Sequence, residues 1–167
     1  VAVISSSSQI KVLAQNVSSK SNGAFTGEVS VDMLKSINIK SVIIGHSERR
    51  MLFGEDDKTL KMKLVNCFKN DMEVFLCIGE TLDIREKGMQ NDVIENQLEN
   101  TLFDIDNVNL EKLIIAYEPV WAIGTGVNAN SDQVQEIHCH IRKLLNFRYG
   151  KESSDLIPII YLSLIHI

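Results

Sequence analysis

A chain of 167 residues with 44% hydrophobic and 23% charged side chains has the make-up of one globular domain. Its net charge of −5 excludes a general attraction to nucleic acid or to an anionic membrane. No apolar run approaches the roughly 20 residues that span a bilayer. The N-terminus, Val1-Ala2-Val3-Ile4-Ser5, has no initiator Met and no charged leader. It does not read as a signal peptide, and the chain reads as one that begins in mid-fold. Ile10 to Gln15 is a strand candidate, preceded by a serine run, Ser5 to Ser8, too short to mark a domain boundary. Asn22 to Glu28 is a Gly-containing loop. Val29 to Ile37 reads as a short helix capped by Ser30, with Met33, Leu34 and Ile37 on one face. Ser41 to Ile44 is a strand stopped by Gly45. Asp57 to Asn70 is an amphipathic helix with Leu60, Leu64, Cys67 and Phe68 at helical spacing. Val74 to Ile78 is a strand stopped by Gly79, and Asn91 to Ile105 a helix burying Ile94, Leu98, Leu102 and Ile105. Leu113 to Tyr117 is a fully apolar strand. Asn130 with Gln133 starts a helix as a capping box, and that helix buries Val134, Ile137, Ile141, Leu144 and Leu145. Ile157 to Tyr161 is the last strand.

Apolar strands alternating with helices predict a parallel sheet with helical crossovers. Doubly wound sheets and barrels both fit that alternation. No G-x-G-x-x-G opens a helix, which speaks against a dinucleotide fold. The three cysteines, Cys67, Cys77 and Cys139, are odd in number and lack metal spacing, as expected of reduced thiols in a cytosolic protein. His138, Cys139 and His140 point different ways on a helix, so they cannot converge on one ion. No metal or organic cofactor is expected.

The chemistry gathers in Ala116-Tyr-Glu-Pro-Val-Trp-Ala-Ile-Gly-Thr-Gly126. Glu118 ends a rigid strand, and Pro119 keeps the chain from running on into a helix. A loop with Trp121 near its start and Gly124 and Gly126 near its end then reads as a hinged flap. The blander alternative is a solvated Glu beside a turn. Against it stands the whole string, which resembles the signature of the triosephosphate isomerase family. So do Ile44-Gly-His-Ser-Glu-Arg-Arg50, Cys77-Ile-Gly-Glu80 and Asn22-Gly-Ala-Phe-Thr-Gly-Glu28, all in the family's order. The resemblance covers about residues 1 to 161, which makes them one partial domain and leaves 162 to 167 as a non-matching tail.

The resemblance implies a TIM (β/α)₈ barrel, incomplete, with about strands 3 to 7 present. It implies interconversion of D-glyceraldehyde 3-phosphate and dihydroxyacetone phosphate through an enediolate, in glycolysis and gluconeogenesis, by a cytoplasmic homodimer. Glu118 would be the base and His46 the electrophile, kept neutral at a helix N-terminus. Those roles are this family's established pattern and are not read from spacing. Glu48 would assist. Cys77 would pack behind Glu118. Glu80 would hold the open flap through Trp121, and Tyr161 the closed flap through the backbone near Ala129. The Gly124 amide would reach the substrate phosphate, and Thr26 would reach across a dimer interface. One convergence is independent of the resemblance: His46, the 77–80 segment and Glu118 all follow strand C-termini, where barrels place function.

The family's substrate-binding Asn and Lys, its Gly-Gly-Ser phosphate loop and its eighth βα unit have no counterpart in the 167 residues. The chain as given is therefore expected to be inactive and poorly folded by itself. The alternative reading is a non-catalytic remnant that only associates through the 22–28 loop.

Overall fold

The computed structural model describes residues 11–106, 108–123 and 128–162. Four runs of branched and aliphatic residues pair as one parallel sheet: β1 (Ser41–Ile44), β2 (Glu73–Ile78), β3 (Leu113–Tyr117) and β4 (Ile159–Tyr161), in the order β1-β2-β3-β4. Val42 faces Val74, Leu76 faces Ile115, and Tyr117 faces Tyr161. Every crossover steps to the next strand in the same direction. A doubly wound sheet reverses at a switch point, whereas a barrel keeps stepping one way. Among the described strands the order has no switch point, as a stretch of barrel requires.

All five residues of β3 are buried, as a central strand covered on both faces requires. Leu60, Leu64, Leu76, Ile94, Leu98, Ile115, Ile137 and Ile141 form the middle of the core. Each such buried side chain contributes about 1.5–3 kcal/mol.

The predicted strand at 10–15 is reduced, among the described residues, to a single bridge from Ala14 to Val42. Ala14 N–H donates to Ser41 O at 2.9 Å, and Ile43 N–H to Ala14 O at 2.8 Å. Lys11 and Gln15 on either side are exposed, so the segment offers too little apolar face to hold a longer ladder. Ile10 and the serine run lie outside the described residues.

Helix α1 (Val31–Ser36) is capped by Ser30, as expected, but it buries Val31 and Leu34. Met33 and Ile37 are exposed, contrary to the predicted face. Ile37 is already the C-cap, its N–H turned back onto Leu34 O. Helix α2 (Ser47–Phe53) follows β1 after two residues and stops at Gly54 in the left-handed region. Helix α3 (Asp57–Lys69) is capped by Asp56 and buries Leu60, Leu64 and Cys67, while Phe68 is half-buried.

The helix predicted over 91–105 is divided. After the short α4 (Leu82–Glu86), α5 runs over Gln90–Leu98 and widens into a π-helical turn at Glu99–Phe103. The widened turn still buries Leu102, and Ile105 beyond it. Helix α6 (Ser131–Tyr149) has the expected capping box and buries Ile137, Ile141 and Leu145, with Val134 and Leu144 only partly covered. A further short helix, α7 (Lys151–Asp155), precedes β4. The last strand starts at Ile159 and not at 157, because Pro158 has no N–H for the ladder; its carbonyl still accepts from Ile115 at 3.0 Å.

Candidate active site

The ends of β1, β2 and β3 bring three loops to one edge of the sheet. Glu118 follows β3 directly and is 2% exposed. Its N–H donates to Ile78 O at 2.8 Å, which ties it to the end of β2. The next residue on that side has to be glycine: a Cβ at Gly79 would lie 1.7 Å from the Glu118 carbonyl oxygen.

The Glu118 carboxylate faces the start of α2. Its Oε2 accepts the Ser47 N–H at 2.9 Å, and its Oε1 accepts the Ser47 hydroxyl at 2.9 Å. His46 Nε2 lies 2.9 Å from the same Oε1. Gly45, at φ 81, permits the sharp turn from β1 into this helix. Arg50 braces the turn, donating to Gly45 O at 3.0 Å and to Asp57 at 2.6 Å.

His46 is the N-cap of α2, and its Nδ1 accepts the Glu48 N–H at 3.3 Å. A neutral ring that accepts there carries its proton on Nε2, the atom that faces Glu118. The helix thus presents the imidazole with its Nε2 aimed at Glu118.

Burial raises the Glu118 carboxyl above the ordinary carboxylate range, against the opposing pull of Ser47 and His46. Burial, helped by the Glu118 charge, also pushes the Cys77 thiol up, so Cys77 is packing and not a nucleophile. The Glu48 side chain is 58% exposed, its Oε2 3.9 Å from His46 Nδ1. Its backbone N–H, and not its carboxylate, bonds the His46 ring.

A second buried carboxylate, Glu80, sits one strand end away. Its Oε1 accepts from Trp121 Nε1 at 2.8 Å, from the Tyr117 hydroxyl at 3.0 Å and from Arg85 at 3.0 Å. Arg85 also reaches Glu136 at 3.1 Å and lies 5.3 Å over the Trp121 ring. Burial and the Glu80 charge push the Tyr117 hydroxyl up, so it stays a donor. Trp121 belongs to a one-turn 3₁₀ segment, Val120–Ala122, that opens the predicted flap.

Tyr161 ends β4 opposite Tyr117 and is part-exposed. Leu162 N–H continues the ladder, donating to Tyr117 O at 2.8 Å. Thr26 lies on a loop whose residues 21–29 are all exposed. Gly124 and residues 163–167 lie outside the described residues. Among His138 and its neighbours, His138 meets the Tyr117 ring edge-on at 6.0 Å, and His140 Nε2 is 3.2 Å from Asn91 O. A cavity of about 430 Å³ opens beside His46 and Glu48, walled by Asn16, Ile43 and Leu162.

Sequence reasoning missed Ser47 and Arg85. Ser47 carried a usable signal, because the first residue of a helix capped by a candidate His has a free N–H to offer. Arg85 comes from the short helix α4 and meets Glu80 only in the folded chain, which no spacing signals.

A stepwise parallel sheet with a buried carboxylate, an imidazole against it and a Trp-tethered loop at its C-terminal edge is the arrangement of a barrel protein whose site lies at its strand ends. A family model described as triosephosphate isomerase matches residues 1–162. The triosephosphate isomerase of Flavobacterium johnsoniae is 46% identical over 152 residues, 91% of this chain and 61% of the relative. That of Porphyromonas gingivalis is 44% identical over 161 residues, 96% and 64% of the two chains, and that of Clostridium tetani 45% over 158 residues, 95% and 62%. The chain belongs to the triosephosphate isomerase family, and its sheet is part of a TIM barrel. It spans about three fifths of the length of these curated relatives.

Proposed function

We propose that the protein, at its natural length, interconverts D-glyceraldehyde 3-phosphate and dihydroxyacetone phosphate. The observation that carries the reading is the Glu118–His46 contact of 2.9 Å through Nε2, with His46 Nδ1 accepting the Glu48 N–H on the other side of the ring. Glu118 takes the proton from the carbon beside the carbonyl, and the His46 Nε2–H stabilises the oxygen that becomes negative. Glu118 then returns the proton to the neighbouring carbon. Substrate has to draw the carboxylate off Ser47 for this. A carboxylate raised by burial is the stronger base once freed.

In this reading Gly124 binds the phosphate, Trp121 on Glu80 holds the flap open, Tyr161 holds it closed, and Glu48 assists at the His46 side. The test is a coupled triosephosphate assay on the natural-length protein and on residues 1–167 alone. Turnover by the former and none by the latter is expected. A natural-length protein no faster than buffer overturns the proposal.

The reading also includes a homodimer with Thr26 at its interface. The exposed 21–29 loop supports it, as do the exposed Phe25, Met51, Leu52 and Phe53. Those same side chains would serve the alternative, a non-catalytic chain that only associates. Sedimentation with Thr26→Arg tests association, and the assay separates the two. A cytoplasmic location is proposed on the free thiols Cys67, Cys77 and Cys139. Among the described residues, no helix is long and apolar enough to cross a membrane.

A further inference from the structure

Gln97, on α5, spends its whole side-chain amide on one residue. Its Oε1 accepts the Gly79 N–H at 2.9 Å, and its Nε2 donates to the Gly79 carbonyl at 3.0 Å. That is the pairing a neighbouring strand would offer, supplied one residue beyond the point where the β2–β3 ladder ends at Ile78 and Tyr117. Gly79 is also where the two strand ends press together: its backbone leaves no room for a Cβ against Glu118, and Glu118 N–H is bonded to the preceding Ile78 O. On the other side of Gly79, the Glu80 carbonyl accepts the Val120 N–H at 3.1 Å. Gln97 is itself anchored. The buried Thr101, in the π-helical turn, donates to the Gln97 carbonyl at 2.6 Å.

From this geometry we propose that Gln97 is a positioning residue for the base Glu118, acting through the Gly79 backbone. The proposal rests on the assignment of Glu118 above. Its neighbours on the buried face, Ile94 and Leu98, show what plain helix-to-sheet packing uses at this contact. A polar side chain with both halves bonded to one glycine is needed only where that backbone must be held in place. Without the clamp the end of β2 relaxes away from β3, and the carboxylate loses its register against His46 and Ser47.

The test compares Gln97→Met and Gln97→Glu in the natural-length protein. Gln97→Met is expected to lower kcat by on the order of tenfold with KM little changed, short of the roughly 100-fold that a full ångström of misplacement costs. In Gln97→Glu, a neutral carboxyl reproduces both bonds, whereas the anion faces the Gly79 carbonyl oxygen and repels it. Its kcat relative to the parent should therefore recover as pH falls through the titration of the introduced carboxyl, while the Gln97→Met ratio stays flat. A ¹³C-carboxylate titration of Glu118 should shift in Gln97→Met. Parent-like kcat and an unshifted Glu118 titration in a folded Gln97→Met protein overturn the proposal, as does a Gln97→Glu loss independent of pH. If the parent itself shows no isomerase activity, the functional reading fails separately, and the Glu118 titration still decides whether Gln97 positions that carboxylate.

Discussion

Two glutamates sit buried at adjacent strand ends, and they are built for opposite purposes. Glu80 has an arginine and two neutral donors on one oxygen, so its charge is matched and its side chain is fixed. Among the described residues, no lysine or arginine pairs with Glu118. It is held by Ser47 and by the His46 ring, and burial leaves its carboxyl raised. On the proposed reading, the difference teaches that burial alone does not make a carboxylate reactive. The partners differ: an arginine pairs with the fixed Glu80, whereas burial raises the Glu118 carboxyl against the opposing pull of its Ser47 donors.

The sharpest way to break the comparison is to shorten the reactive member. Glu118→Asp is expected to lower kcat by about 100-fold or more with little change in KM, because it withdraws the base by about an ångström. Steady-state kinetics read this directly, and near-normal turnover removes Glu118 from the role.

Removing the structural member should cost stability first. Glu80→Ala leaves Arg85 without its buried partner and removes one hydrogen-bond partner of Trp121, and it is expected to destabilise the fold by about 3 kcal/mol in urea melts. Its effect on kcat should be far smaller than that of Glu118→Asp. A larger kinetic than thermodynamic effect would contradict the division of labour.

The raised Glu118 carboxyl has a consequence for stability against pH. The folded state holds that proton more tightly than the unfolded state does. The group's stabilising contribution is therefore fully present below its unfolded value and is lost as pH rises through the raised folded value. Glu118→Gln should be more stable than the parent at neutral pH, with the gap closing as pH falls into the ordinary carboxylate range. A gap that widens on acidification contradicts the shift.

The smallest effect is expected from Ser47→Ala, which removes one hydroxyl donor and keeps the backbone N–H. The Glu118 titration should move further up, and kcat should change by less than about tenfold.

These residues differ in how visible they were in the sequence. His46, Glu118, Glu80 and Trp121 stood in contiguous strings, and their contacts follow from strand ends lying side by side. Gln97 and Arg85 carry no such string. They reach the site across the α5 packing and from α4, which one-dimensional spacing does not encode. The π-helical turn at 99–103 was hidden for a related reason. It changes the backbone hydrogen bonds while keeping Leu98, Leu102 and Ile105 on the buried side, so the apolar pattern reads as one continuous helix. At 10–15 the apolar residues suggested a strand, but pairing needs a partner at every rung, and the described residues show one at Ala14. The choice of barrel over doubly wound sheet is a matter of strand order, which alternation alone never contains.

The central claim is that Glu118 moves a carbon-bound proton with His46 opposite. Deuterium incorporation into dihydroxyacetone phosphate in D₂O, followed by proton NMR, tests it most directly. The natural-length protein should label the hydroxymethyl carbon far faster than buffer, and Glu118→Gln should label it at the buffer rate. Labelling that survives Glu118→Gln unchanged, or parent labelling no faster than buffer, would contradict the account.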